Sequence, residues 1–235
     1  MDTLDTRWSV LDESKASVCD VINQRYSCRA FQPDELPREQ IERILGVAQQ
    51  TPSWCNSQGW KIRVTSREGI ERLRTAMLRA AESDEQSADF TPPREYTGPR
   101  LERRRAAGFA LYQALDITRE DRLGRDRQML ENYRFFGAPH VAVLTIHEEL
   151  GAYALVDVGA YIATFCYVAQ AAGAATIVQA APAMYSDALR EVLQIPAEQR
   201  IVCTISLGYA DKQHPANGFR TGRADLKHVV EWIDS

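Results

Sequence analysis

Three short polar clusters contain the residue types in this chain that could carry chemistry. The first is Arg-Tyr-Ser-Cys-Arg at 25–29, the second is Pro-Ser-Trp-Cys-Asn-Ser-Gln-Gly-Trp at 52–60, and the third is Phe-Arg-Thr-Gly-Arg at 219–223. Arginine supplies forked hydrogen-bond donors that suit anions such as phosphate. Each cluster alone also has a plainer interpretation, as a solvated helix end, a turn and an exposed basic tail. The clusters therefore indicate a function only when they are taken together.

Several well-known catalytic motifs are absent from the sequence. There is no GxGxxG, no GxxxxGK[ST] and no GxSxG, so the usual nucleotide-binding and hydrolase motifs are missing. His147 and Glu148 begin like HExxH, but Gly151 stands where the second zinc ligand belongs. The four histidines have no ligand spacing with the cysteines, and we predict no metal site. A protein without these motifs can still perform redox chemistry with a bound cofactor.

Length and composition predict one globular domain over residues 1–235. Hydrophobic residues make up 45% of the chain and charged residues 26%, which is enough apolar material for a sizeable core. The net charge of −4 gives no reason to expect nucleic acid or an anionic membrane as a partner. The apolar stretch 152–175 contains Asp157 and Gln170, so it predicts a buried helix rather than a membrane span.

The termini and the cysteines favour a cytoplasmic location. Residues 1–10 are polar and have no apolar run after a basic start, so they do not resemble a signal peptide. The five cysteines are dispersed without a CxxC pair, which is typical of reduced thiols in the cytoplasm.

Hydrophobic periodicity predicts interleaved helices and strands, and therefore an α+β class. The predicted helices cover 13–25, 37 to before 52, 70–80, 151–172 and 183–193, and the predicted strands cover 60–65, 141–146 and 201–207. Residues 81–105 are rich in proline and charge, which predicts an exposed excursion or lid that leads into a basic helix at 101–115. The tail from about 217 is polar and then ends in several apolar residues.

In this order, the clusters resemble the FMN-dependent nitroreductase family. The family pattern R-R-S-x-R-x-F is matched by Arg-Tyr-Ser-Cys-Arg-Ala-Phe at 25–31, and A-P-S-x-x-N-x-Q-P-W by Thr-Pro-Ser-Trp-Cys-Asn-Ser-Gln-Gly-Trp at 51–60. Phe-Phe-Gly-Ala-Pro-His at 135–140 is similar to the F-F-x-A-P-H of one branch. Tyr26 and Gly59 depart from the pattern, because the family usually has Arg and Pro there. The resemblance runs from about residue 20 to residue 232.

The resemblance implies a fold and a reaction. The expected fold is a central, mostly antiparallel sheet flanked by helices, in an intertwined homodimer whose tail from about 217 wraps the partner and whose interface holds FMN. The expected enzyme uses NAD(P)H to reduce nitroaromatic or other electron-poor small molecules by ping-pong two-electron transfer, without a catalytic nucleophile or base from the protein. A reductase of a quinone, an enone or a halogenated aromatic, a non-catalytic flavin-binding protein and a flavin-free structural dimer remain alternatives.

The resemblance also assigns roles to residues. It implies that the FMN phosphate binds Arg25, Ser27 and Arg223 with help from Arg220, and that Tyr26 binds through its backbone. It places Arg29 beside N1 and O2 of the flavin, where it would stabilise the reduced state. The remaining cofactor-binding candidates are Ser53, Asn56, Gln58, Gln179, Ala180 and Ala181. Aromatic residues that could line the substrate pocket or pack in the core are Trp54, Tyr133, Phe135 and Phe136.

Overall fold

The computed structural model describes residues 17–83 and 85–233, and a four-stranded sheet lies at its centre. The strands are β1 (Trp60–Thr65), β2 (His140–His147), β3 (Ala175–Gln179) and β4 (Gln199–Gly208). They lie in the order β1-β2-β4-β3, and every neighbouring pair is antiparallel. The three predicted strands and the antiparallel sheet are confirmed. The sequence reasoning missed β3, whose five residues are too few for a clear alternation.

Seven α-helices surround the sheet in the described residues. They are α1 (Val18–Gln24), α2 (Arg38–Ala48), α3 (Glu68–Ser83), α4 (Gly98–Ala114), α5 (Arg122–Leu130), α6 (Tyr153–Ala171) and α7 (Ser186–Leu193). Helix α1 begins after Ser17, whose hydroxyl accepts a hydrogen bond from the Asp20 backbone amide in a capping box. Residues 13–16 of the first predicted helix lie outside the described residues. Helix α5 was not predicted, because its sequence RLGRDRQML lacks a regular apolar face.

Helix α6 packs one face against the sheet and α2. Its buried residues are Ala154, Val158, Tyr161, Phe165, Cys166, Val168 and Ala169. The prediction that this helix is buried is correct for that face only, since Tyr153 and Val156 are 63% and 68% exposed. By length and apolar composition alone α6 could span a membrane, but the core helix of a water-soluble protein passes the same test.

Strand β1 departs from its predicted alternation at its end. The sequence places Val64 on the buried face and Thr65 on the exposed face, whereas Val64 is exposed and Thr65 is buried. The Thr65 hydroxyl donates a hydrogen bond to the Val141 carbonyl of β2, which satisfies this polar group in the interior. The pairing of β1 with β2 is uninterrupted, so both residues keep their alternating faces. Thr65 is buried because its face also carries Val141 and Val143, which pack with α3 in a second core cluster.

The excursion at 81–105 is anchored over its first part. The Asp89 carboxylate accepts two hydrogen bonds of 2.9 Å from Arg190 of α7 and one from the Ile201 amide of β4. The Ser87 amide donates to the Met184 carbonyl at 2.8 Å. Residues 91–97 are exposed, and α4, which follows, has no buried residue. A lid is therefore restricted to the part of the excursion after Phe90, and its function as a lid stays a prediction.

Buried His140 makes the stability of the fold depend on pH. Its Nε2 accepts a hydrogen bond of 3.0 Å from the Leu36 amide, and burial lowers the pKa of the imidazole. The unfolded chain therefore binds a proton that the folded chain excludes, and stability is lost as the pH falls from about 6.5, the ordinary pKa of histidine, towards the lower folded value.

We expect the free energy of unfolding, measured by urea titration, to be lower at pH 5.5 than at pH 7.5 (about one pH unit either side of the histidine pKa). The slope has an upper limit of about 1.4 kcal/mol per pH unit for one group. His140→Gln keeps an acceptor for the Leu36 amide but does not titrate, so its stability should change less over this range. An equal change in the variant would show that other groups cause the pH dependence.

Candidate functional site

The fold brings the first and third clusters together through the side chain of Asn217. This residue is almost fully buried, and its Oδ1 accepts a hydrogen bond of 2.7 Å from the Arg29 amide. Its Nδ2 donates to the carbonyl oxygens of Ala30 and Asp211, both at 2.8 Å. Two of the three side-chain bonds therefore fix the tail to the segment that follows α1, and the third fixes it to the segment that follows β4.

The first cluster is also fixed to the sheet. Ser27 pairs with Thr176 of β3 in an isolated parallel bridge, and the Cys28 amide donates to the Thr176 carbonyl at 3.0 Å. Burial raises the pKa of the Cys28 thiol to about 11, so the sulfur stays protonated at neutral pH. The cluster is thus a rigid segment on the edge strand, and Cys28 is a packing residue in it.

Arg29 is a half-buried cation without a carboxylate partner among the described residues. Its guanidinium donates to the Ser27 carbonyl at 3.1 Å and lies 5.5 Å from the centre of the Phe219 ring. Burial lowers the pKa of this guanidinium, because the charged form loses hydration. A cavity of about 520 Å³ opens beside it, lined also by Phe136 and by the carboxylates of Asp116, Asp121, Glu131 and Asp211. No ion pair in the described chain joins Arg29 to any of these carboxylates, so its guanidinium can still bind an anionic group of a ligand.

Arg220 stacks on the residue that departs from the family pattern. Its guanidinium carbon lies 3.8 Å from the centre of the Tyr26 ring, and one terminal nitrogen donates to the carbonyls of Asn217 and Phe219 at 2.8 Å. A cation over a tyrosine ring at this distance is a favourable contact. The aromatic side chain at 26 therefore holds a cation from the third cluster close to the first.

The remaining two cations of the predicted phosphate site are less constrained. Arg223 is exposed, and its guanidinium donates to the Thr221 hydroxyl and to the carbonyls of Thr221 and Gly222. Arg25 follows α1 and lies near Cys166 of α6, where burial raises the pKa of the thiol and the charge of Arg25 opposes that shift only in part. No hydrogen bond or ring contact joins Arg25 to Arg223 in the described part of the chain.

The second cluster is a separate loop on the first turns of α6. The Trp54 amide donates to the Asp157 carboxylate at 3.1 and 3.2 Å, and the Trp54 ring contacts Tyr153 edge to face at 4.2 Å between centres. The second cluster is therefore held at Asp157, whereas Arg25 of the first cluster lies near Cys166 of the same helix. These two helix positions are nine residues apart, which is about 13 Å along the axis. No hydrogen bond, ion pair or ring contact in the described residues joins this loop to the other two clusters.

Polar side chains of the second cluster bond to one another. The backbone amide of Gln58 donates a hydrogen bond of 2.9 Å to the Ser53 hydroxyl. The side-chain Nε2 of Gln58 donates one of 3.2 Å to the side-chain oxygen of Asn56. Cys55, Asn56 and Gln58 all have positive φ angles of 46–56°, which is uncommon for residues with a side chain. Three such residues in four positions indicate a loop whose shape is retained at an energetic cost, as is common at ligand-binding sites.

Only part of the predicted cofactor contact at Gln179, Ala180 and Ala181 is accessible at the end of β3. The Gln179 side chain is buried, with Nε2 donating to the Asn132 carbonyl at 2.9 Å and Oε1 accepting from the Ser206 hydroxyl. Ala180 is exposed and Ala181 is half-buried at the start of a 3-10 turn. A ligand at this position would therefore meet the backbone and the two small side chains rather than the Gln179 amide.

Burial separates the four aromatic candidates. Phe135 has no exposed surface, and Tyr133 packs edge to face on Tyr185, so packing is the interpretation that the structure supports for these two. Phe136 is buried but touches the cavity beside Arg29. Trp54 is 56% exposed. Sequence reasoning assigned no role to Asn217, for which the only local signal was an Asn-Gly pair typical of a turn.

Comparisons with known proteins identify the family. The family model described as "Nitroreductase family" matches residues 22–209. Nitroreductase NfnB of Mycolicibacterium smegmatis is 35% identical over 90% of this chain and 91% of its own, and a 4-nitrobenzoate reductase of Nocardioides sp. is 34% identical over 91% and 88%.

Solved structures agree with these sequence relatives. The FMN-dependent nitroreductase NfnB from Mycobacterium smegmatis in complex with NADPH has a TM-score of 0.87 at 33% identity and covers 91% of this chain and 96% of its own. The FMN- and NADPH-dependent NfnB from a Sphigopyxis strain has a TM-score of 0.90 at 29% identity and covers 94% and 100%. The expected α+β nitroreductase fold is confirmed, and this chain belongs to the nitroreductase family.

Proposed function

We propose that this protein is an FMN-dependent oxidoreductase that uses NAD(P)H to reduce nitroaromatic or other electron-poor small molecules. The observation that carries the proposal is the half-buried Arg29 cation, which forms no ion pair in the described chain and is held beside a cavity by the contact between the first and third clusters. The names of the relatives support it, because two of them are nitroreductases with FMN or NADPH in their descriptions and one is a 4-nitrobenzoate reductase.

The residues of the two joined clusters fit FMN. Arg25, Ser27, Arg220 and Arg223 would bind its phosphate, with charge-assisted hydrogen bonds from the guanidinium groups. Arg29 would face N1 and O2 of the ring, where a fixed cation in a partly dry site stabilises developing negative charge. Bound FMN would supply two-electron chemistry, and because donor and acceptor would use the same ring face in turn, we expect ping-pong kinetics.

Exposed apolar residues support a homodimer. Val18, Ile22, Trp54, Tyr153, Val156, Val229, Trp232 and Ile233 are all at least 43% exposed, and several belong to α1, α6 and the tail. Apolar surface of this extent is typical of protein–protein interfaces. In a dimer, the second cluster would meet the first and third clusters across the subunit interface, since within one chain it stands apart. We also propose a cytoplasmic location, which the five free cysteines favour.

The visible absorption spectrum of the purified protein tests the proposal. We expect a bound flavin spectrum that bleaches on anaerobic addition of NADPH or NADH and recovers on addition of 4-nitrobenzoate or a quinone. A colourless protein that does not take up added FMN would overturn the cofactor assignment. A flavin that neither donor reduces would instead indicate a non-catalytic flavin-binding protein.

Tyr26 offers a more specific test of the flavin site. Tyr26→Ala removes the ring under Arg220, and we expect the FMN Kd of the apoprotein to rise about fivefold, because a partly exposed cation–π contact contributes about 1 kcal/mol. Tyr26→Phe keeps the ring and should bind FMN like the parent protein in the same fluorescence titration. If the phenylalanine variant binds as weakly as the alanine variant, the stacked ring does not position Arg220.

A further inference from the structure

A second basic cleft lies between helix α4 and the tail. Its volume is about 800 Å³, and it is lined by Arg100 and Arg103 of α4 and by Arg220, Arg223 and His228 of the tail. Glu102 is the single acidic residue that lines it. No carboxylate of the described chain forms an ion pair with any of the four arginines. Arg220 and Arg223 are the residues proposed above to bind the FMN phosphate, which would neutralise their charge. Arg100 and Arg103 would still lack an anion, and two cations that converge without one repel each other.

The face of α4 that lines the cleft is chemically distinct from its other faces. Arg100 and Arg103 are followed along the same side by Ala106, Ala107 and Ala110, which also line the cleft. Two cations thus lead onto a strip of small apolar side chains. This combination suits a ligand that has a phosphate group at one end and a flat, weakly polar ring beyond it.

We infer that this cleft binds the adenosine 2′-phosphate end of NADPH and that Arg100 and Arg103 select NADPH over NADH. This inference rests on the proposed function, in which a nicotinamide nucleotide is the electron donor. NADPH carries a phosphate monoester that NADH lacks, and guanidinium groups bind such dianions with forked hydrogen bonds. The cleft has space for a nucleoside as well as for its phosphate.

Arg100 and Arg103 are the informative residues for a test. Arg220 and Arg223 are also proposed to bind the FMN phosphate, so replacement of either would affect both ligands. Arg100 and Arg103 are exposed on α4, a helix without any buried residue, so alanine at either position should leave the fold unchanged. Arg105 is the matched control, because it is an exposed arginine of the same helix that does not line the cleft.

The experiment measures binding and turnover with the flavin-loaded protein. Calorimetric titration compares adenosine 2′,5′-bisphosphate with 5′-AMP, which lacks the 2′-phosphate, and steady-state assays compare NADPH with NADH. We expect the bisphosphate to bind more tightly, and Arg100→Ala and Arg103→Ala each to raise its Kd and to lower kcat/KM for NADPH roughly tenfold. Binding of 5′-AMP, kcat/KM for NADH and every property of Arg105→Ala should stay close to the parent values.

Several results would overturn the inference. Equal binding of the bisphosphate and 5′-AMP by the parent protein would exclude a 2′-phosphate site, and an equal decrease for NADPH and NADH would exclude a role in selection. Loss of FMN with unchanged bisphosphate binding would assign the arginines to the flavin phosphate instead. Because the bisphosphate titration needs no turnover, a failure of the proposed reductase activity can be distinguished from a failure of the cleft assignment.

Discussion

Replacement of Asn217 by alanine is expected to weaken FMN binding by about 100-fold and to lower the free energy of unfolding by about 2–3 kcal/mol. The side chain makes three hydrogen bonds of 2.7–2.8 Å, to the Arg29 amide and to the carbonyls of Ala30 and Asp211. Alanine leaves the Arg29 amide without a partner, whereas the carbonyls of Ala30 and Asp211 each keep one other backbone donor, the amides of Asp211 and His214. An unsatisfied polar group in the interior is destabilising. The tail would then no longer hold Arg220 near Tyr26.

Fluorescence titration of the apoprotein with FMN and urea unfolding measure the two effects. Asn132→Ala is the matched control, because Asn132 makes one local side-chain bond, to the Met129 carbonyl at the end of α5. We expect this control to change both quantities much less. Normal FMN affinity in Asn217→Ala would show that the flavin site does not depend on the attachment of the tail.

The second large effect is expected at Arg29. Arg29→Ala should retain part of the bound flavin but lower its two-electron reduction potential by on the order of 40 mV, which corresponds to about 2 kcal/mol. The guanidinium is half-buried and has no carboxylate partner in the described chain, so its charge is available to stabilise a reduced, anionic ring. The rate of flavin reduction by NAD(P)H should decrease by up to roughly 30-fold, the factor that corresponds to about 2 kcal/mol.

Potentiometric titration and stopped-flow reduction test this expectation. The substitution removes only the side chain, so the bond from the residue 29 amide to Asn217 remains and the tail should stay attached. Arg29→Lys keeps the charge and should recover most of the potential. An unchanged potential in Arg29→Ala would remove Arg29 from its proposed position beside the ring.

The sequence predicted those elements whose signal is local. The alternation of residues 60–65 and 201–207 indicated β1 and β4, because one buried face of a strand imposes a period of two. Helix α5 has no such pattern, so its sequence did not predict it. A hydrogen bond from the Gly124 amide to the Asp121 carboxylate, rather than an apolar face, stabilises the start of this helix. The burial of Thr65 was not predicted, because it depends on α3, which covers the second face of the sheet.

The candidate site was predictable in composition but not in arrangement. The clusters identified the family, yet the bond that joins them connects residues 188 positions apart in the chain. A side chain such as Asn217 has no periodic pattern that would mark it, and its importance lies in three partners that only the folded chain brings together. The sequence also could not show that the second cluster lies apart from the other two. Its place depends on the hydrogen bond from the Trp54 amide to Asp157 near the start of α6, whereas Arg25 lies near Cys166 towards the end of that helix.

The bond between Arg29 and Asn217 has a consequence for the order of folding. It encloses every strand of the sheet within one loop of the chain, and contacts of such large sequence separation form slowly because the closure of long loops is entropically unfavourable. The first cluster is in turn seated on β3 through Ser27 and Cys28, so we expect the joined site to form together with the sheet or after it. Uptake of the flavin during refolding would therefore lag behind the recovery of secondary structure and report the last stage of chain assembly.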